Sequence, residues 1–464
     1  MNKSSKFVAL ACLVGACSMV ALQASAQTSL ASDPVVAAIL ESARSGTQGY
    51  DVVEGLTTEI GPRLAGTPDE ARSRDWTADM FREIGLENVR IEPFTIPGWV
   101  RGVETARITA PYPQPMLVTA LGGSVATPPE GVKAEVAYFP TFDALETAPL
   151  GGLEGKIVFI SGRMEKAPDG AGYGPANLKR QRGATEAGRR GAAAVIIRSV
   201  GTDSRRFPHT GQMRYADDVA PIPIAALSAP DADQLERILE RGETVEVYLK
   251  VRPYFVGDAP SGNVIGEIVG TERPEEIVLI GAHLDSWDLG TGAVDDGAGV
   301  GIIAGAAQIL IEQGLRPKRT IRVVAFGAEE VGLLGAFEYA KKYADDVGNH
   351  VLATESDFGA EPPYEVLINV GEGDSVIRDV AATLDLPIGA RSTNGGPDII
   401  PLANAGVPVM RFQQDGTDYF DLHHTPDDTL DKIDPDDIAE NVAAFALMAW
   451  TAANAETDFR ADTP

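Results

Sequence analysis

GAHLDSWDLGTGAVDDGAG, residues 281–299, lies directly after a short apolar run that ends at Ile280. The run at 277–280 predicts a buried strand, and the apolar spacing at 299–313 predicts a helix. The alternation continues with a strand at 320–326, a helix at 331–344 and a strand at 351–354. This pattern predicts an α/β fold with a mostly parallel sheet flanked by helices.

Acidic residues and histidines follow three consecutive predicted strands, and two more histidines lie near the carboxyl end. The set is His283, Asp285, Asp295, Glu329, Glu330, Asp357, His423 and His424. Ligand sites in open α/β sheets lie beyond the carboxyl ends of strands, so these side chains are expected at one edge. Zinc accepts nitrogen and oxygen ligands at about 2.0 to 2.2 Å, and a shared carboxylate can bridge two ions about 3.5 to 4 Å apart. The set therefore predicts a site for two metal ions.

Each of these residues also has a simpler interpretation when it is taken alone. Paired acids at strand ends commonly cap helices, and this is the alternative for Glu329 and Asp285. A single histidine is more often structural than a ligand. His423 is expected to point away from the site, and His350, which has no partner motif, is expected to be structural. The joint placement at consecutive strand ends favours the metal site.

The motifs GAHLDSWDLGTGAVDDGAG, AEE, ESD and HHTPDDT resemble those of the M28 family of zinc peptidases. The resemblance extends over nearly the whole chain after residue 26, including Gly61-Pro62-Arg63-Leu64 and Pro208-His209-Thr210-Gly211. It implies a zinc exopeptidase fold, two Zn²⁺ per chain and small peptides as substrates. It also suggests a homodimer, and it leaves a substrate-side role open for His209.

Roles for single residues follow from the same resemblance. It implies that Asp295 bridges the two ions, with His283 and Asp357 on one ion and Glu330 and His424 on the other. Glu329 falls where the family has its general base, and Asp285 is expected to orient His283 from behind. Neighbouring residues of an extended segment point to opposite sides, so Glu330 can face the ions while Glu329 faces the attacking water.

A chain of 464 residues is expected to form two or three structural units rather than one. With the resemblance, residues 27–118 and 255–464 are predicted to form the peptidase domain. Residues 119–254 are predicted to form an inserted domain similar to a protease-associated domain. Further local signals are a helix at 69–84, strands at 89–94, 155–160 and 191–197, and a final helix capped by Asp434.

The amino terminus has the pattern of a secretory signal peptide. Lys3 and Lys6 precede an apolar run that ends at Leu22, and Ala24-Ser25-Ala26 suits cleavage, so residues 1–26 are predicted to be removed on export. The run is shorter than the roughly 20 apolar residues of a membrane span, although an anchor and lipidation at Cys17 remain alternatives. We expect a secreted or periplasmic protein without a membrane span after cleavage.

Charge and cysteine content restrict the partners. The only two cysteines, Cys12 and Cys17, lie in the leader, so disulfides are not expected in the mature chain. Removing the leader removes two positive charges and no acids, which takes the net charge from −28 to −30. Nucleic acid and anionic membranes are disfavoured as partners of such a surface.

Two other functions fit the same fold. A glutaminyl cyclase would use one metal ion, and a binding protein could have lost its metals altogether. The complete set of ligand residues argues against both, and metal content per chain separates the three alternatives. The sequence leaves side-chain preference, the native metal and the choice between aminopeptidase, dipeptidase and carboxypeptidase action open.

Overall fold

The computed structural model describes residues 30–371 and 373–460. The predicted leader, with both cysteines, lies outside these residues. The strands of the described residues are β1 Glu87–Val100, β2 Glu104–Ala110, β3 Gln114–Met116, β4 Val118–Ala120, β5 Val132–Phe139, β6 Ile157–Ile160, β7 Ala194–Arg198, β8 Ile224–Leu227, β9 Glu246–Val251, β10 Tyr254–Ile268, β11 Arg273–His283, β12 Arg319–Phe326, β13 His350–Glu355, β14 Pro363–Asn369 and β15 Val409–Gln414. The helices are α1 Pro34–Ser45, α2 Gln48–Gly55, α3 Pro68–Glu83, α4 Phe142–Glu146, α5 Tyr173–Gly188, α6 Ala229–Leu239, α7 Ala298–Glu312, α8 Leu334–Lys342, α9 Asp374–Thr383, α10 Ile400–Asn404, α11 Tyr419–Leu422 and α12 Pro435–Asn454.

The strands form two sheets. The first has seven strands in the order β1-β10-β12-β11-β13-β15-β14. Its four central strands, β12, β11, β13 and β15, run parallel, and the strands on both sides of them pair antiparallel. The predicted α/β class is confirmed, and the parallel order predicted for the sheet holds for these central strands.

The second sheet has eight strands in the order β3-β2-β9-β5-β6-β7-β8-β4. Its strands β5 to β8 run parallel, and helices α5 and α6 pack beside them. It is built from Glu104 to Val251, so its first strand begins before residue 119, where the inserted domain was predicted to start. The division of the chain into domains stays a prediction.

We call the first sheet with its helices the first unit, and the second sheet with its helices, built from residues 104–251, the second unit. Helix α7 lies in the core of the first unit and begins directly after residues 281–297. Helices α2 and α12 pack on it, and Gly49 and Gly301 let α2 and α7 approach closely, because a Cβ added to Gly301 would collide with the carbonyl of Gly49. The segment Ala293–Glu312 is the one helical stretch of the described residues with the length and apolarity of a membrane span, but most of it is buried inside the protein. We interpret it as a core helix.

The predicted cap of α12 is confirmed, because Asp434 accepts a hydrogen bond from the backbone N–H of Asp436. Thr67, which was not predicted as a cap, accepts one from the N–H of Glu70 at the start of α3. The largest difference from the predicted helix boundaries is at α8, which begins at Leu334 rather than at residue 331. The chain turns before it, with positive φ at Ala328 and Leu333. This turn sets the directions of the Glu329 and Glu330 side chains.

Candidate metal centre

Three neighbouring parallel strands of the first sheet bring their carboxyl ends to one edge. Strand β11 ends at His283, β12 leads into Glu329 and Glu330, and β13 leads into Asp357. The register aligns His283 with Phe326, the last residue of β12. These side chains therefore follow the carboxyl ends of neighbouring parallel strands, as the sequence pattern predicts.

A buried arginine fixes the loop that leaves β11. The guanidinium of Arg63 donates hydrogen bonds to the carbonyl oxygens of Leu284 at 2.7 Å, Thr291 at 2.6 Å and Gly292 at 2.9 Å. Burial lowers the pKa of Arg63 to about 10, against the effect of nearby carboxylates. Because the loop closes around the Arg63 side chain, the two ends of the loop are held together.

Asp295 lies between two pairs of side chains. On one side its Oδ1 is 3.1 Å from Nε2 of His283, and this nitrogen is 3.6 Å from Oδ1 of Asp357. On the other side its Oδ2 is 3.3 Å from Nε2 of His424, which is 2.9 Å from Oε2 of Glu330. The structure thus brings all five predicted ligand residues together, with one histidine and one further acid on each side of Asp295.

The carboxylates of this cluster outnumber the histidines, so the cluster carries an excess of negative charge. Burial and the neighbouring carboxylate of Asp295 raise the pKa of Glu330 well above its usual value. Burial would lower the pKa of His283, but hydrogen bonds to Asp295 and Asp357 outweigh it and raise the pKa. Burial would likewise raise the pKa of Asp295, but the adjacent imidazoles of His283 and His424 outweigh it and hold the pKa well below its usual value. Divalent cations would neutralise such a cluster.

The oxygen and nitrogen atoms of this cluster are suitable ligands for zinc. Within residues 30–371 and 373–460, Oδ2 of Asp295 and Oε1 of Glu330 are buried and accept no hydrogen bond. Nδ1 of His283 donates to the carbonyl oxygen of Asp285 at 2.9 Å, so in the neutral ring Nε2 carries the lone pair that would bind a metal. Ligand atoms of His283, Asp295 and Glu330 all lie within 4.8 Å of one another. Imidazole nitrogen together with carboxylate oxygen is a donor set that zinc accepts.

Asp285 acts differently from the prediction. Its carboxylate Oδ1 is 3.9 Å from Nδ1 of His283, and its backbone carbonyl, not its side chain, orients that ring. The carboxylate instead accepts hydrogen bonds from the backbone N–H groups of Glu329 at 3.0 Å and Glu330 at 3.3 Å. Asp285 therefore holds the general-base candidate and one ligand candidate in place.

We expect Asp285→Asn to lower turnover by about 10- to 100-fold, the usual effect of removing a group that supports a metal ligand. The amide has one oxygen where the carboxylate has two, so one of the N–H groups of Glu329 and Glu330 would face an NH₂ donor. Steady-state kinetics and zinc content measure the effect. Asp288→Asn is the matched control on the same loop, because Asp288 pairs with Arg101 instead. Equal losses in the two variants would contradict this role for Asp285.

Glu329 lies beside the ligand cluster and faces a cavity. Its side chain is partly exposed there, whereas that of Glu330 is buried. Burial, with the carboxylates of Asp357 and Glu330 nearby, raises the pKa of Glu329 well above its usual value. A carboxyl group with a raised pKa next to a cluster of candidate metal ligands suits proton transfer.

Two further acids that the sequence did not single out support the cluster. Asp428 accepts hydrogen bonds from the backbone N–H groups of Val294 at 2.6 Å and Asp295 at 3.3 Å. Asp296 accepts one from the N–H of His283 at 3.1 Å and caps α7 through a bond from Gly299 at 3.0 Å. The spacing of Asp296 from the helix start could have revealed its capping role.

His423 does not point away from the site, contrary to the expectation. Its ring stacks on that of His424 with centroids 3.4 Å apart, and its Nε2 is 3.7 Å from Oδ2 of Asp295. Burial and the neighbouring His424 lower the pKa of His423. The stacked ring therefore supports the orientation of His424.

A cavity of about 990 Å³ opens beside these residues. The first sheet's unit contributes the acids, His424 and the aromatic side chains of Phe358, Tyr419 and Phe420. The opposite wall comes from the second unit and carries four arginines, Arg180, Arg182, Arg189 and Arg214. This size falls within the roughly 300 to 1,000 Å³ typical of clefts for small ligands.

Comparison with known proteins identifies the class. Residues 263–449 match the model of peptidase family M28. Carboxypeptidase Q from Homo sapiens is 35% identical over 416 residues, which cover 89% of this chain and 87% of that protein. The crystal structure of a peptidase M28 precursor from Shewanella amazonensis is 46% identical with a TM-score of 0.90, covering 92% of this chain and 97% of that one.

The structure of a zinc aminopeptidase from Bacillus subtilis shares the fold at 22% identity, with a TM-score of 0.65 over 90% of this chain and 98% of that one. The cluster of acids and histidines at the strand ends and the cavity beside it are features of a hydrolase with a metal centre. The chain belongs to peptidase family M28. This membership confirms the predicted enzyme class, a zinc metallo-exopeptidase.

Proposed function

We propose that this protein hydrolyses short peptides with two zinc ions, one held by His283 and Asp357, the other by Glu330 and His424, and both by Asp295. The observation that carries the proposal is the position of Asp295, whose two carboxylate oxygens face two separate histidine and acid pairs. When bound, such ions acidify a water molecule and polarise the scissile carbonyl.

The protein's own groups perform the proton transfers in this proposal. Glu329 accepts a proton from the attacking water and later donates it to the leaving amine, which balances the hydrolysis of one peptide bond. Asp285 keeps the backbone of Glu329 in place through its hydrogen bond of 3.0 Å. The raised pKa of Glu329 makes it a stronger proton acceptor, which suits it to take the proton from the attacking water.

Metal content and activity together test the proposal. Purified protein should contain about two zinc ions per chain and hydrolyse dipeptides with a free amino terminus. The acetylated forms of the same dipeptides should react more slowly. One ion per chain with cyclisation of amino-terminal glutamine would favour a glutaminyl cyclase instead. No bound ion and no hydrolysis would favour a binding protein.

The cavity also suggests how the other end of a short peptide is bound. Of the four arginines on the wall of the second unit, Arg180, Arg182 and Arg189 have hydrogen-bonded side-chain partners. Arg214 is exposed and, among the described residues, forms no ion pair. Its Nη2 packs against Gly332, two residues beyond Glu330, where a Cβ would collide with it. We propose that Arg214 binds the free carboxylate of a short substrate.

We expect Arg214→Gln to raise KM for a free dipeptide by roughly 10-fold or more, because hydrogen bonds to a charged group contribute about 1.5 to 3 kcal/mol. The KM for the corresponding dipeptide amide should stay unchanged. Arg182→Gln is the matched control, since Arg182 lines the same wall but pairs with Glu146 at 2.6 Å. Equal changes for the free peptide and the amide would contradict this role.

Export belongs to the proposal as well. The signal-peptide pattern and the absence of cysteine between residues 27 and 464 are its support. Amino-terminal sequencing of the exported protein should find residue 27 first. A chain that begins with a lipidated Cys17 would replace secretion by membrane anchoring. The homodimer suggested by the family resemblance stays a prediction.

A further inference from the structure

The loop that carries His424 is held by a segment of the second unit. This segment, residues 199–210, follows strand β7 and lies against residues 420–424. The backbone N–H of Thr202 donates to the carbonyl oxygen of Phe420 at 3.1 Å, and that of Thr210 donates to the carbonyl oxygen of His424 at 3.1 Å. We call residues 199–210 the clamp segment.

His209 provides the clamp segment with its main side-chain contact. Its Nδ1 is 2.7 Å from the carbonyl oxygen of His423, and its Nε2 is 2.5 Å from the carboxylate of Asp203. The ring is fully buried and packs against Gly201, where a Cβ would collide with it. The backbone N–H of His209 donates to Oγ of Ser199 at 2.8 Å. The imidazole is therefore fixed on every side and contacts the residue next to His424.

Thr210 acts on the ring of His424 itself. Its carbonyl oxygen lies 3.4 Å from Nδ1 of His424 and also accepts a hydrogen bond from Nη1 of Arg180 at 3.3 Å. Nη1 of Arg180 lies 3.4 Å from the same Nδ1, so the carbonyl oxygen and the guanidinium together hold this edge of the ring. The other ring nitrogen, Nε2, then faces Glu330 and Asp295, the direction in which a metal ligand must point.

We infer that the clamp segment is part of the metal centre, and that His209 and Thr210 are positioning residues that hold His424 in its metal-binding orientation. The inference rests on the proposed function in one respect, which is that His424 is a zinc ligand. The first unit alone supplies His283 and Asp357. The ion beside His424 depends in addition on the contact between the two units, so disturbing the clamp segment weakens one ion selectively.

The test is zinc titration of the full chain against a competing chelator. His209→Phe keeps an aromatic ring but removes both nitrogen contacts, so we expect one of the two zinc ions to bind about 10- to 100-fold more weakly. The affinity of the other ion should stay within twofold of the wild type. His209→Gln retains a side-chain donor for the carbonyl of His423 and should recover part of the loss.

His350→Phe is the matched control, because His350 is also a buried histidine but bonds Tyr339 at 2.8 Å and begins β13, at the opposite end of the strand from the site. It should leave both zinc affinities unchanged. Wild-type zinc affinities at both sites in His209→Phe would overturn the inference. It would also be overturned if His209→Phe and His209→Gln each lowered the affinities for both zinc ions to the same extent. A wild-type protein that binds fewer than two zinc ions would instead contradict the proposed function, so the two failures are distinguishable.

Discussion

Glu329→Gln is expected to keep two zinc ions per chain and to lower kcat by about 10² to 10⁴, the usual contribution of a general base. Glutamine has nearly the shape of glutamate, so the backbone hydrogen bond to Asp285 and the neighbouring ligands should stay in place. What is lost is a group that accepts a proton. Single-turnover kinetics and elemental analysis of the same sample measure the two properties together.

Glu329→Asp serves as the conservative control for this substitution. It retains a carboxylate but withdraws it by one methylene group, so activity between that of the wild type and Glu329→Gln is expected. Near-normal turnover in Glu329→Gln would show that another group accepts the proton. Loss of zinc in this variant would show that Glu329 is a ligand.

Asp295→Ala is expected to lower the affinity for each of the two zinc ions by more than about 100-fold. The loss of a shared ligand should exceed the 10- to 100-fold effect of losing a group that only supports a ligand. Asp295 is the one residue of the cluster whose two oxygens face both histidines. Turnover should fall with metal occupancy. Zinc titration with a competing chelator resolves the two binding steps.

Glu330→Ala and His283→Ala are the comparisons that make the Asp295 result specific. Glu330 contacts His424, whereas His283 contacts Asp357, so each of these variants should weaken one ion more than the other. If Asp295→Ala lost only one ion, the bridging role would be wrong. If Glu330→Ala lost both ions equally, the assignment of residues to separate ions would be wrong.

The strand ends were predictable from the sequence because they depend on local pattern. The apolar run before His283 fixes β11, and the rule that parallel strands present their carboxyl ends at one edge brings Glu330 and Asp357 to it. The family resemblance then separated ligand from general-base candidates. Residue order alone carries no information on which oxygen faces which histidine.

Features that depend on contacts between distant segments were missed. The carboxylate of Asp285 bonds two N–H groups 44 and 45 residues away, and nothing near Asp285 in the sequence indicates that turn. His423 was expected to point away from the site, but φ at His424 is +63° and the two rings stack. The clamp segment is another case, because His209 and His423 are 214 residues apart.

Anomalous diffraction at the zinc edge from crystals of the zinc-loaded protein would locate the ions themselves. Two zinc peaks about 3.5 to 4 Å apart are expected. One should lie within bonding distance of His283 and Asp357, the other of Glu330 and His424, with Asp295 contacting both. A single peak, or peaks that leave Asp295 without a bond to zinc, would contradict a two-zinc site bridged by Asp295.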